Sequence, residues 1–471
     1  MIEASVQPNA PQQATGLQII YYIRVWNTLY PQFADNKPGK EYLHVMNHTT
    51  TLKENLRRGK YQTLLTDLYA DPGRTDYQTT RYIRAIECYE AAFGAGEISI
   101  YSAPGRSEIG GNHTDHQHGE VLAASINLDA IAVVSPLDTP VVKVISDGYD
   151  LITIDLDDLS QQESQKESTQ ALIKGVLASA QERGYRIGGF QTYITSDVLI
   201  GAGLSSSAAF ETIIGTILSG LYNDMKISPI EIAMMGQYAE NVYFGKPCGL
   251  TDQMACSVGS LVHIDFADPV KPVVEKVTFD MAKHGYSLCI TDTKGSHADL
   301  TADYAAIPAE MKAVAAYFDK EVLRDVPVTE FFQKLPEVRK ATSDRSVLRA
   351  IHFFRENERV RNEVAALNRE DISAFLRTVA ASGDSSFKYL QNVYSAQDVQ
   401  TQNMSLALAV SETVLGSRGV CRVHGGGFAG TIQAFVRKDA VAEYKQAMDD
   451  LFGKDACSVL MIRKYGGIKV L

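Results

Sequence analysis

The chain has 471 residues, 45% of them hydrophobic, and carries a formal net charge of −11. That length can bury more than one core, so two domains with an added segment are expected, while the acidic balance disfavours nucleic acid and anionic membrane as partners, since both select for clustered Lys and Arg. The six cysteines are scattered with no C-x-x-C pair and no apolar run reaches membrane-spanning length, which disfavours a zinc site, a disulfide framework and a membrane anchor and leads us to expect a reducing cytoplasm.

The opening MIEASVQPNAPQQ lacks the basic and apolar regions of an export signal. Residues 15–93 then show helical spacing: Leu17, Ile20 and Tyr21 up to Trp26, next Leu52, Leu56, Leu64, Leu65 and Leu68, and last Tyr82, Ile83, Ile86, Tyr89 and Phe93. Thr51 with Glu54 has the spacing of a capping box, and Asp71-Pro72-Gly73 is a strong breaker. With no chemical motif in it, this stretch reads as a helical appendage over 1–94 that packs on the rest. From residue 96 the period changes to strands, expected over 98–101, 121–126, 130–134 and 190–197, with a helix over 171–183 and a polar surface loop over 157–168. Helices are expected after 204, over 230–243 and through most of 300–420, after which strands resume.

Three segments carry chemistry. Residues 103–119, APGRSEIGGNHTDHQHG, put Arg106, Asn112, His113 and Asp115 in a glycine-punctuated turn, donors and acceptors suited to a ligand rich in hydroxyls. The alternative is a metal site built on His113, Asp115, His116 and His118; in an extended loop, however, 116 and 118 share one face while 113 and 115 take the other. The second segment runs GAGLSSSAA from Gly201 through Gly203, Ser205, Ser206 and Ser207 to Ala208, between a strand and the helical spacing of Phe210, Ile213, Ile214 and Ile217. Glycines and serines at a helix start offer backbone N–H groups and hydroxyls to an anion; a plain serine N-cap is the simpler reading. No Walker-type lysine follows.

Downstream, Gln237-Tyr238-Ala239-Glu240 lies on a helix, and Glu240 is an oxygen ligand of the kind hard Mg2+ prefers. Asp252, in Cys248-Gly249-Leu250-Thr251-Asp252-Gln253, sits among small and apolar residues where a lone carboxylate is costly unless paired, and Arg106 is its expected partner. The third segment, HGGGFAG over 424–430, contains G-x-G-x-x-G but leads into a strand-like run over 431–436 rather than a helix, so a Rossmann reading is rejected.

The three segments, in this order, resemble the three signatures of the GHMP small-molecule kinases, and the first and the Asp252 hexapeptide resemble the galactokinase branch. The resemblance implies an α+β fold of two domains, a ribosomal-S5-domain-2-like half over 95–298 and a ferredoxin-like, helix-rich half over 299–471, with the appendage outside it. It implies an ATP- and Mg2+-dependent kinase acting on the anomeric hydroxyl of galactose or a close relative, with sugar and ATP as small-molecule partners and a monomer favoured. Asp252 is then expected to orient or deprotonate that hydroxyl, and Arg106 to stabilise charge on the transferring phosphoryl group. Asn112, His113, Asp115, Gly249 and Tyr304 are expected to contact the sugar. The phosphates fall to Gly201, Gly203, Ser205, Ser206, Ser207 and Ala208, and Mg2+ to Ser207 and Glu240. Two rivals are a non-catalytic sugar- and ATP-binding regulator, disfavoured by the complete Ser205 to Ala209 run, and other GHMP kinases such as those for mevalonate or homoserine.

The departures from the family pattern concern the sugar. Ser107, Glu108, Ile109 and Gly110 replace valine-asparagine-leucine-isoleucine, Asn112 replaces a glutamate expected at the 6-hydroxyl, and His116 replaces a tyrosine. Loss of the Asn112 charge, with a protonated His116, leads to the expectation that galacturonate or another 6-modified galactose is tolerated. The tryptophan often near the adenine has no counterpart, Trp26 being the only tryptophan, and Thr169 stands near its place.

Overall fold

The long antiparallel pair at the centre of the molecule explains most of its architecture. In the structure, a computed structural model describing residues 46–199, 203–246, 248–295 and 300–471, a short strand β1 (Asn47–His48) leads into helices α1 (Thr49–Arg57), α2 (Gln62–Tyr69) and α3 (Thr75–Phe93). Strands β2 (Glu97–Gly110), β3 (Glu120–Pro136), β4 (Val141–Ser146), β5 (Ile152–Asp155), helix α4 (Thr169–Glu182) and strand β6 (Phe190–Ser196) follow. Then come α5 (Ser206–Tyr222), α6 (Pro229–Tyr238), α7 (Thr251–Val258), β7 (Leu261–Asp265), β8 (Val273–Val277) and β9 (Tyr286–Asp292). The remainder is α8 (Thr301–Tyr317), α9 (Val328–Gln333), α10 (Leu335–Ala341), α11 (Asp344–Asn368), α12 (Ile372–Ser385), α13 (Asn403–Leu415), β10 (Gly419–Val423), β11 (Thr431–Arg437), α14 (Val441–Phe452), β12 (Cys457–Leu460) and β13 (Ile468–Lys469). The reading of Leu17 to Trp26 as helical lies outside the described residues.

Among the described residues the first sheet has nine strands, with β1-β2-β3-β6-β4-β5 in order, β13 beside β2, and β7 with β8 beside the first half of β3. Both faces are buried, which is why its strands read as nearly unbroken apolar runs. On β2 and β3, Tyr101, Ala103, Ala130, Ala132 and Val134 face α4–α6, while Ile98, Ile100, Ile131 and Val133 face α1–α3 through Leu52, Leu65, Tyr82 and Ile86. Residues 49–93 thus cover one face of the sheet. The second sheet, β10-β11-β9-β12, is also two-sided. Leu288, Ile290, Phe435 and Leu460 pack toward the first sheet and α11–α12, whereas Cys289, Ile432, Ala434 and Cys457 pack under α13 and α14.

Several expectations change. The two strands anticipated over 121–126 and 130–134 are one, because Asn127 and Asp129 between them are stitched rather than solvated: Asn127 exchanges bonds of 3.0 Å with Met461, and Asp129 is bound by arginines. The turn anticipated from residue 103 begins only after Gly110, since β2 continues through irregularities at Pro104/Arg106 and Glu108/Gly110. Thr51 and Glu54 form no capping box; α1 is capped by His48, whose Nδ1 accepts from the Thr50 N–H at 3.3 Å. Helix α6 ends at Tyr238 and continues as a π-helical turn, Ala239–Phe244.

Candidate active site

Gly105 marks where two of the motifs meet. A Cβ there would stand 2.8 Å from the Leu204 carbonyl oxygen, so only glycine lets β2 lie against the loop before α5, and the Arg106 N–H then donates to that carbonyl at 3.1 Å. The contact aims the Arg106 side chain beneath the loop. Its guanidinium grips Asp252 with both edges, Nε to Oδ1 at 2.6 Å and Nη2 to Oδ2 at 2.7 Å, and Nη1 donates to the Gly203 carbonyl. Such a paired fork is the strongest form of this interaction. Burial alone would raise the Asp252 carboxyl; the Arg106 charge, with hydrogen bonds from Arg106 and Ser205, outweighs it and holds the group below the usual carboxylate value. The Arg106 side chain is 10% exposed and that of Asp252 39%, so the pair has one open side, and it belongs to the aspartate.

The serine run is not a plain cap. Ser205 has a left-handed φ of 56° and makes no side-chain cap bond; its hydroxyl donates to Asp252 Oδ2 instead. Ser206 and Ser207, in the first turn of α5, line a cavity of about 980 Å3 together with Thr169, Phe210 and Phe244, and Ala208 is buried beneath them. Gly201 lies outside the described residues.

Around the first motif the structure brings together Asp115, Gly249, Thr251, His113 and Tyr304. A Cβ on Gly249 would fall 2.1 Å from Asp115 Oδ2; that position is closed to any side chain while Asp115 holds its place. Asp115 also accepts from the His116 N–H at 2.9 Å and from the Thr251 hydroxyl at 3.4 Å. Burial, and in smaller part the Asp252 charge, raise its carboxyl. His113 Nε2 lies 2.9 Å from the Gly426 carbonyl, and Tyr304 donates to the Gly427 carbonyl at 2.8 Å. The third glycine loop is therefore strapped to the first motif and to α8. His424 completes the strap, its Nε2 3.1 Å from the Ser107 hydroxyl and 3.2 Å from the Glu108 N–H that donates to it.

Asn112 does not face a ligand. It is 0% exposed; its amide donates to Glu108 at 3.0 Å and to the Gly425 carbonyl at 2.7 Å, and its oxygen accepts from Asn392 at 2.8 Å and Ser386 at 3.2 Å, which exhausts its capacity. The premise for tolerating a 6-carboxylate fails with it. The glutamate that the family pattern places at 112 stands here at 108, hydrogen-bonded to Asn112 and paired with Arg422 at 2.9 Å, so the carboxylate is exchanged between neighbours rather than lost. Nor is His116 a cation, because burial pushes its imidazole down to about 3. Glu108 itself is pushed up to about 7 by burial, against the pull of Arg422 and Arg106.

Glu240 is buried, 5% exposed. Gln253 donates to its carboxylate at 3.3 Å and to that of Glu211 at 3.1 Å, and burial with the neighbouring Glu240 raises Glu211 well above the usual carboxylate value. Among the described residues neither glutamate forms an ion pair with a basic side chain, and the hydrogen bonds of both carboxylates go to Gln253 and not to Ser207. Glu211, Ser107, Glu108, Arg422 and His424 escape a reading by motif role: Glu211 lies in an apolar helix run, and the others owe their place to a contact across more than 300 residues.

Comparison with known proteins bears on this arrangement. A profile described as the galactokinase galactose-binding signature matches residues 87–136, and one for the GHMP kinases N terminal domain matches 171–260. The galactokinase of Actinobacillus pleuropneumoniae is 30% identical over 372 residues, 79% of this chain and 93% of that protein; the galactokinase of Streptomyces coelicolor is 29% identical over 366 residues, 78% and 92%. Among solved structures, Lactococcus lactis galactokinase complexed with galactose superposes with a TM-score of 0.70 at 23% identity, covering 81% of this chain and 98% of that one. A mevalonate kinase superposes at 0.54 and 13% identity, covering 78% and 99%.

Proposed function

This chain belongs to the galactokinase branch of the GHMP kinases, and from that premise we propose that its arginine–aspartate pair transfers the γ-phosphoryl group of ATP to the anomeric hydroxyl of galactose. One observation carries the assignment of roles: an ionised aspartate, held on two sides by Arg106 and open on a third, lies where the sugar motif meets the phosphate loop. Phosphoryl transfer asks mainly for positioning and for neutralisation of charge. Asp252 orients the 1-hydroxyl and accepts its proton as the O–P bond forms. Arg106, always charged, keeps that carboxylate ionised and faces the developing charge.

Asp115, with His113 and the backbone of Gly249, fixes the sugar ring, and Tyr304 holds the third glycine loop over it. Ser205 positions Asp252, while Ser206, Ser207, Gly203 and Ala208 shape the phosphate end of the cavity, with the N–H groups of the first turn of α5 directed at an anion. Mg2+ is part of the proposal, with Ser207 and Glu240 as its protein oxygens: the donors are of the hard type, and Glu240 has no cationic partner among the described residues. When bound, the ion neutralises triphosphate charge. The two kinase halves divide in this reading at about residue 298, although β9 (Tyr286–Asp292) already pairs with β11 and β12 in the second sheet.

The test is a panel of galactose, galacturonate, N-acetylgalactosamine and glucose with ATP and Mg2+, scored for sugar 1-phosphate. Galactose is expected to lead. Tight galactose binding with no ADP formed on any sugar contradicts the proposal and points to a regulator.

A further inference from the structure

The cavity that contains Ser206 and Ser207 has one wall from an unexpected source. Arg74, which caps α3, and Tyr77 in its first turn line it together with the phosphate loop's own helix, and both precede the segments that the two family profiles match. Tyr77 is a large aromatic residue with 46% of its surface exposed, yet it is held in place. Its hydroxyl donates to Asp197 at 3.0 and 3.1 Å, and Asp197 is in turn 3.3 Å from Arg81 Nε, whose other end is buried against Asp129. The Arg74 guanidinium lies 4.6 Å from the centre of the Tyr77 ring, a cation–π distance.

An exposed ring pinned from behind by a buried ion-pair network, and stacked with a guanidinium at the mouth of a cavity, is a poor device for stability and a good one for a flat ligand. The cavity volume, about 980 Å3, is ample for a nucleotide. If the phosphates lie at Ser206 and Ser207, as the kinase reading on which this rests has it, the base must occupy the part of the cavity away from α5's first turn. Among the described residues lining the cavity there is no tryptophan, and Tyr77 supplies an aromatic surface.

We propose that Arg74 and Tyr77 form part of the nucleotide-base site, so that the helical N-terminal segment is a component of ATP recognition and not only a cover for the sheet. The base packs against the Tyr77–Arg74 pair; Asp197 and Arg81 act behind it as positioning residues.

Equilibrium binding of ADP and of galactose to the full chain tests this without requiring turnover. Tyr77→Ala is expected to weaken ADP about tenfold, the scale of one lost base–aromatic contact, and Arg74→Ala about threefold, with galactose affinity unchanged in both. Tyr77→Phe, which keeps the ring and loses only the Asp197 bond, stays within about threefold of the parent. ADP affinity within twofold of the parent in Tyr77→Ala overturns the inference, whatever the variant's melting temperature; if that variant does not fold, unchanged ADP affinity in the half-buried Arg74→Ala overturns it equally. A parent that binds ADP in this way but forms no galactose 1-phosphate would sink the kinase reading and leave the base site standing.

Discussion

Asp129 and Asp252 are both bound by arginine, and the difference between their surroundings separates architecture from chemistry. Asp129, in the middle of β3, takes Arg81 at 2.5 Å, Arg463 at 2.9 Å, Tyr69 at 2.9 Å and the Ser102 hydroxyl, and its side chain is 0% exposed. Its donors come from α2, α3, β2 and the segment before β13, so it pins the N-terminal helices and the C-terminus to the first sheet. Asp252 takes one arginine and one serine, and 39% of its side chain is open. Burial opposes the ionised form in both and arginine restores it in both; only Asp252 keeps an acceptor face for something not already in the protein.

The largest expected effect breaks the closed site. Asp129→Asn leaves Arg463 buried without a counter-charge and Arg81 with Asp197 alone, and is expected to cost about 3–5 kcal/mol, read as a lower denaturant midpoint. A loss under about 1 kcal/mol would mean that the network is not what joins the appendage to the sheet.

A middle case is Glu108, its side chain 15% exposed where that of Asp129 is closed, and its pKa moved the other way, to about 7 from an ordinary 4.5. Between those values the native state binds the proton more tightly than the unfolded chain, so stability is fully present below the lower value and is lost as the pH rises through the upper one, by on the order of 3 kcal/mol. Glu108→Gln should flatten that slope in thermal melts taken from pH 4.5 to 7.5; an unchanged slope assigns the titration to another group.

Smaller again is the effect at Gly249, beside the open site. Gly249→Ala forces Asp115 to move and is expected to raise KM for galactose about tenfold, on the order of 1.4 kcal/mol, with kcat changed less. A kcat loss without a KM change would place Asp115 in the chemical step instead.

The same contrast explains what the sequence disclosed. Asp252 was legible because its hexapeptide, the sugar motif and the phosphate loop are each local patterns, and a carboxylate among small apolar residues demands a cation that Arg106 could supply. Asp129 was not, since Asn127 and Asp129 read as a break between two strands, and its partners at 69, 81, 102 and 463 share no spacing. The helices over 49–93 were legible from their apolar stripes; that the start of α3 reaches the cavity at Ser206 and Ser207 is a matter of how three helices lie on a sheet. Asn112 misled because one substituted position was weighed alone. Its exchange with Glu108 is written in the sequence, but only the irregular end of β2 brings the two side chains within 3.0 Å.

The central claim is that Asp252 is ionised, oriented and open for chemistry, and the kcat of Asp252→Asn, measured beside galactose binding and thermal stability, tests it most directly. The account predicts a fall in kcat of about 100-fold or more, with galactose affinity within about threefold and the fold retained. A kcat within threefold of the parent would contradict it and return the Arg106–Asp252 pair to the same structural role as Arg81 and Asp129.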